Sequence, residues 1–179
     1  TQALITSAHQ QNKKALVHIA SYSEAKQMVE QGADGLVHSF TNQVADAALI
    51  EQAKKRGTFI IATLSVSGSL AGAGEGKALA DDVDLQGYLS KPQSTALKAA
   101  FPKQWQNPKV LENSLASVKI LHDAGIPILA GTDAGNPGTA HGASMHGELA
   151  LLVKAGLSPV EALNAATALP AKIFNLNDR

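Results

Sequence analysis

The sequence predicts an α/β protein built from four successive β/α units around a parallel sheet, and three observations carry that prediction. Short apolar runs of strand length alternate four times with stretches of helical periodicity. The runs are apolar at successive positions, as strands covered by helices on both faces must be. Glycines or N-cap residues stand at most of the changes of period. Right-handed crossovers are then the expected connection between strands.

The chain has 179 residues, enough for one domain but short of the roughly 250 of a complete eight-unit barrel. It opens at Thr1 inside a helical pattern of Ala3, Leu4 and Ala8, which points to further sequence upstream, with room there for a targeting signal. The first strand is expected over Ala15–Ala20 and contains His18. A helix follows, capped by Ser21 or Ser23, with Ala25, Met28 and Val29 as its apolar stripe and Gly32 at its end. The second strand, Gly35–Ser39, contains His38. Thr41 is expected to open the next helix, with Val44, Ala48, Leu49 and Ala53 on one face, and Gly57 closes it before the third strand, Thr58–Thr63.

The stretch from about 65 to 107 is polar and weakly periodic, and its Gly68–Gly76 part is rich in glycine and serine. It reads as a loop insertion. It has neither the Lys-Ser/Thr ending of a phosphate-binding loop nor dinucleotide spacing. Asn107 and Pro108 form an N-cap with proline at the first helical position, and the stripe Val110, Leu111, Leu115, Val118 and Leu121 runs to Gly125. The fourth strand is Ile126–Thr132. Helices at about 143–155 and 159–168 close the chain, the second opened by the capping box Ser158-Pro159-Val160-Glu161.

Composition narrows the chemistry. Lys plus Arg and Asp plus Glu number 15 each, so no net field draws nucleic acid or an anionic membrane, and a small-molecule partner is expected. No apolar run reaches the roughly 20 residues of a membrane span. A soluble chain is expected, cytoplasmic by default, with the compartment left open. With no cysteine, a metal site would draw on His, Asp and Glu.

In parallel α/β folds reactive groups gather at the C-terminal ends of strands. His18, His38 and Asp133 fall there, at the ends of the first, second and fourth strands. Singly, a strand-end histidine is more often a hydrogen-bonded structural residue and an aspartate before a helix more often a cap. Jointly they say more: the two histidines stand one strand-helix-strand unit apart and each interrupts an apolar run. Neutral imidazoles and a carboxylate suit Zn²⁺ or a similar divalent ion.

Ile128-Leu129-Ala130-Gly131-Thr132-Asp133-Ala134-Gly135 resembles the eighth strand of the amidohydrolase superfamily. The stretch from His146-Gly147-Glu148-Leu149 to Ala165-Ala166-Thr167 resembles the helices that close its barrels. The likeness spans nearly the whole chain and is greatest to the branch of imidazolonepropionase-like enzymes and metal-dependent Xaa-Pro dipeptidases. It implies a partial TIM-type (β/α) barrel, strands five to eight plus C-terminal helices, with residues 1–179 the C-terminal part of one barrel domain. It further implies that His18 and His38 hold one metal, while Asp133 binds at a second metal position and acts as general base. Many relatives carry an acidic residue before the second histidine and glycine after it, where Val37 and Ser39 stand here. Their His-x-His pair and strand-four ligand have no counterpart and are expected upstream of Thr1, which leaves the site half built.

The implied activity is metal-dependent hydrolysis of amide or peptide bonds, dipeptidase-like and using one or two ions, most simply zinc. Cyclic-amide (imidazolone-type) hydrolysis is the rival within the family. A non-catalytic fragment or metal-binding module is the rival outside it. His141 is a candidate substrate contact, His146 a weaker one, and His9 and His122 fit structural helix positions. Tyr88 and Trp105 are expected to pack the insertion against the barrel. The open edges of half a barrel demand a companion: the N-terminal half, or a second copy of the chain.

Overall fold

A computed structural model describes residues 1–176. After helix α1 (Gln2–Gln10), four parallel strands β1 (Leu16–His18), β2 (Gly35–Val37), β3 (Phe59–Ile61) and β4 (Ile128–Leu129) form one sheet in the order β1-β2-β3-β4. Val17 stands beside Leu36, Leu36 beside Ile60, and Ile60 beside Ile128. The crossovers are helical: α2 (Tyr22–Glu30) after β1 and α3 (Ala47–Arg56) after β2. Four helices follow β3, namely α4 (Leu64–Ala71), α5 (Glu75–Asp81), α6 (Lys91–Lys98) and α7 (Pro108–Asp123). After β4 come α8 (Ser144–Lys154), α9 (Pro159–Ala166) and α10 (Ala168–Ile173). The architecture is an arc of a (β/α) barrel, with the expected strands in place but with shorter paired segments.

Local chemistry explains the boundaries. Ser21 caps α2 through a full capping box with Glu24, and Ser158 does the same for α9 with Glu161. Asn107 caps α7 just before Pro108. The start of α3 differs from expectation. It lies after Asp46 rather than at Thr41, because the Asp46 carboxylate accepts the Leu49 amide at 2.9 Å and the Tyr22 hydroxyl at 2.7 Å. Thr41 is meanwhile held elsewhere, its amide on the Ala20 carbonyl and its own carbonyl accepting from Asn113 at 2.8 Å.

The segment read as a loop insertion is mostly helical: α4, α5, α6 and two short 3₁₀ turns fill it. The helix α4 escaped notice because it is enclosed nearly all round. Leu64, Ser65, Val66, Ser67, Gly68 and Ala71 are all buried, so no polar stripe marks its period. It lies along α7, where the fully buried Ser114 faces it and the Ser114 and Ser67 hydroxyls meet at 3.4 Å. Tyr88 and Trp105 do not pack the excursion down; they are 88% and 64% exposed. A small cluster of Ala80, Leu97, Ala140 and Ala143 does that work instead.

The main core lies between sheet and helices, with Leu36, Leu49, Leu64, Val118, Leu121 and Leu152 fully enclosed. Its burial drives the fold and presents the C-terminal strand ends together on one side. Among the described residues no helix is long and apolar enough to cross a membrane.

Candidate active site

Three of the four strands run out into a residue with left-handed backbone: His38 (φ 77°) after β2, Thr63 (φ 49°) after β3, and Asp133 (φ 50°) after β4. Non-glycine residues rarely occupy this region, least of all a β-branched threonine. Such conformations persist where surrounding structure over-determines them, and they concentrate at functional sites. His38 and Asp133 line one cavity of about 340 Å³ together with His18 and Asn136 among others, while Thr63 is buried against His38.

His18 closes β1, the open edge of the sheet, and is exposed. Its ring meets that of His38 edge-on, with centroids 4.6 Å apart. His38 is half-buried, and its Nδ1 is hydrogen-bonded to the Thr63 hydroxyl at 2.7 Å. Burial lowers the His38 pKa; the Asp133 charge opposes the shift and the neighbouring His18 adds to it. The imidazole is thereby biased toward the neutral form that ligates metals. With Nδ1 engaged, Nε2 is the nitrogen left for a ligand, the arrangement by which metal-binding histidines are commonly oriented.

Asp133 is held in its loop by Asn136, whose side-chain amide donates to both the Asp133 carboxylate and its backbone carbonyl at 2.9 Å. Among the described residues, however, no three His, Asp or Glu side chains converge on a single metal position. The donor set fits a divalent ion as a histidine pair plus a carboxylate on the same cavity, not as a closed site. His141 is exposed and lies outside the cavity lining, with its backbone carbonyl accepting from Gln93 at 3.0 Å. His9 is bonded to Asp34 at 2.8 Å, just before β2, and His122 sits near Glu161 at 3.5 Å beside the start of β4, so neither is at the C-terminal strand ends.

Sequence reasoning missed four contributors. Thr63 and Asn136 orient His38 and Asp133. Phe101, from the helical excursion, joins Val66 and Leu70 in an apolar wall of the cavity. Glu148 is fully buried on α8 and accepts the backbone amides of Leu64 at 3.0 Å and Ser65 at 2.7 Å. Burial raises its carboxyl to about 7, against the pull of those amides. One signal was present: Glu148 shares the buried stripe of Ser144, Leu151 and Leu152, where a carboxylate needs partners.

A family model, that of the amidohydrolase family, matches residues 2–179. No curated protein matches the sequence. Among solved structures, a Xaa-Pro dipeptidase with methionine bound in its active site superposes with a TM-score of 0.71 at 20% identity, over 99% of this chain and 38% of that one. A prolidase complexed with N-methylphosphonate-L-proline gives 0.67 at 21% identity, over 98% and 36%. A bottromycin amidohydrolase gives 0.65 at 20% identity, over 99% and 44%. The chain thus spans less than half the length of each of these neighbours, with which it shares a fold.

Proposed function

The chain belongs to the amidohydrolase family, and from that premise we propose that it forms part of a metal-dependent hydrolase of amide or peptide bonds, with dipeptides as the first substrate class. The observation that carries the reading is the His18–His38 pair at adjacent strand ends, with Asp133 on the same cavity. Prolidase and dipeptidase neighbours support the choice of dipeptides over cyclic amides.

In this reading His18 and His38 hold one divalent ion, most simply zinc, through neutral imidazole nitrogens. A divalent ion, when bound, polarises the scissile carbonyl and acidifies the attacking water. Asp133 ligates at a second position and takes the proton of that water, and Asn136 keeps its carboxylate aimed at the cavity. Phe101, Val66 and Leu70 offer an apolar wall for a substrate side chain. His141 is read as a substrate contact from a neighbouring loop.

Among the described residues β1 and β4 each have one unpaired edge, and His18 at the C-terminal end of β1 is exposed. We read these edges as the seam for an N-terminal half-barrel, which would also bring further ligands; a second copy is the alternative. A second reading is a non-catalytic fragment or module that binds metal weakly or not at all, and the lack of a three-ligand cluster among the described residues favours it. The test is hydrolysis of N-acyl and Xaa-Pro dipeptides against a cyclic amide, with zinc supplied, by wild type and His38→Ala in the complete assembly. Dipeptide turnover abolished by the substitution supports the reading. Turnover unchanged by it removes His38 from the site.

A further inference from the structure

Thr63 holds the N-cap position of helix α4, yet its side chain does not cap it. A threonine at this position ordinarily turns its hydroxyl onto the amides of the first helical turn, which have no partner within the helix. No such bond forms here. The hydroxyl points instead to His38 Nδ1. Of the amides such a cap serves, the buried one of Ser65 is taken instead by the Glu148 carboxylate reaching across from α8, which also accepts the amide of Leu64. The Ser65 hydroxyl completes the joint by donating to the Ser144 carbonyl at 3.2 Å.

Two acceptors therefore compete for one helix start. We propose that Glu148 is a positioning residue for His38: by capping α4 in place of Thr63, it leaves the Thr63 hydroxyl free to fix the imidazole through Nδ1. Removing the carboxylate strands two buried amides, a condition costly enough to draw in the nearest acceptor. The Thr63 oxygen, at the N-cap position of the same helix, is the acceptor placed to answer the Ser65 amide. Its departure from His38 frees the ring to exchange tautomers and rotate. A glutamine at 148 is a partial cap at best, since its oxygen can accept from one amide while its NH₂ group faces the other as a second donor.

The inference rests on His38 as a ligand for its functional meaning, but its physical content concerns the ring alone and is measurable without metal. Long-range ¹H–¹⁵N spectra of the histidine side chains, recorded on the full chain above pH 7 so that Glu148 is a carboxylate, report the tautomer of His38 through its two ring nitrogens. Wild type is expected to show one predominant tautomer, and Thr63→Val to show an averaged pair of shifts. Glu148→Gln is expected to move His38 the same way, while His9 and His122 stay at their wild-type positions. The double variant should show no further change, because both substitutions break the same bond. Zinc titration should then give about tenfold weaker binding for each variant, the usual scale for losing an orienting partner.

If Glu148→Gln lowers the melting temperature but leaves the His38 nitrogen shifts as in wild type, Glu148 is merely structural and the proposal is overturned. If Glu148→Gln does not fold, Glu148→Asp takes its place, since its shorter side chain cannot span both amides; unmoved His38 shifts in that variant overturn the proposal equally. Coupled shifts without zinc binding by wild type would leave the positioning intact and remove the metal reading.

Discussion

His38 and Thr63, on neighbouring strands, hold each other at 2.7 Å while both adopt left-handed backbone. Each conformation costs roughly 1–3 kcal/mol in isolation, and together they aim an imidazole into the cavity with one nitrogen already engaged. Thr63→Val keeps the shape and removes the hydroxyl. The expected result is a loss of about 1 kcal/mol of stability, restored by Thr63→Ser. Urea unfolding of the three proteins checks it; equal stabilities would mean the bond contributes nothing.

Asp133→Asn separates binding from proton transfer. Asn136 can still donate to the side-chain oxygen at position 133, so the loop should keep its form. Turnover should fall by roughly 100-fold or more, the scale of losing a general base, with the fold unchanged by circular dichroism. Retention of wild-type kcat would exclude Asp133 as the base.

Glu148 gives a pH dependence whose sign is determinate. Its carboxyl stands at about 7 in the folded chain against an ordinary 4.5, so between those values the folded state keeps a proton that the unfolded state releases. Stability from this group is full below pH 4.5 and is lost as pH rises through 7. At most it amounts to roughly 3 kcal/mol. Glu148→Gln does not titrate, so the stability of wild type relative to the variant should decline over this window. A difference independent of pH would contradict the assignment.

Gly76 on α5 lies against the Gly138 and Leu97 carbonyls so closely that a Cβ would collide with backbone oxygen. Gly76→Ala should destabilise by roughly 1–3 kcal/mol and displace the loop that runs from Asp133 to Gly138. Thermal unfolding and the amide shifts of 133–139 report the two effects, and an alanine variant as stable as wild type would show that the excursion gives way freely.

The open edges of β1 and β4 predict self-association or capture of a complementary half-barrel. Light scattering of the purified chain should give a mass above that of one copy, or reach it on adding the N-terminal half. A stable monomer indifferent to that partner would count against the half-barrel reading.

The order of the four strands and of helices α2, α3, α7, α8 and α9, the Ser21, Asn107 and Ser158 caps, and the placing of His18, His38 and Asp133 at strand ends were legible in the sequence. The reason is local: periodicity, capping and punctuation act within a few residues, and polar groups interrupting apolar runs stand out by contrast. What acts across the chain was not legible. The enclosed helix α4 shows no amphipathic stripe, and Thr41 lost the start of α3 to Asp46 because tertiary bonds had already claimed it. Thr63 meets His38 across 25 residues, and Glu148 meets Ser65 across 83. Packing alone decided that a carboxylate on α8 caps α4, and so which hydroxyl remains free to hold the imidazole.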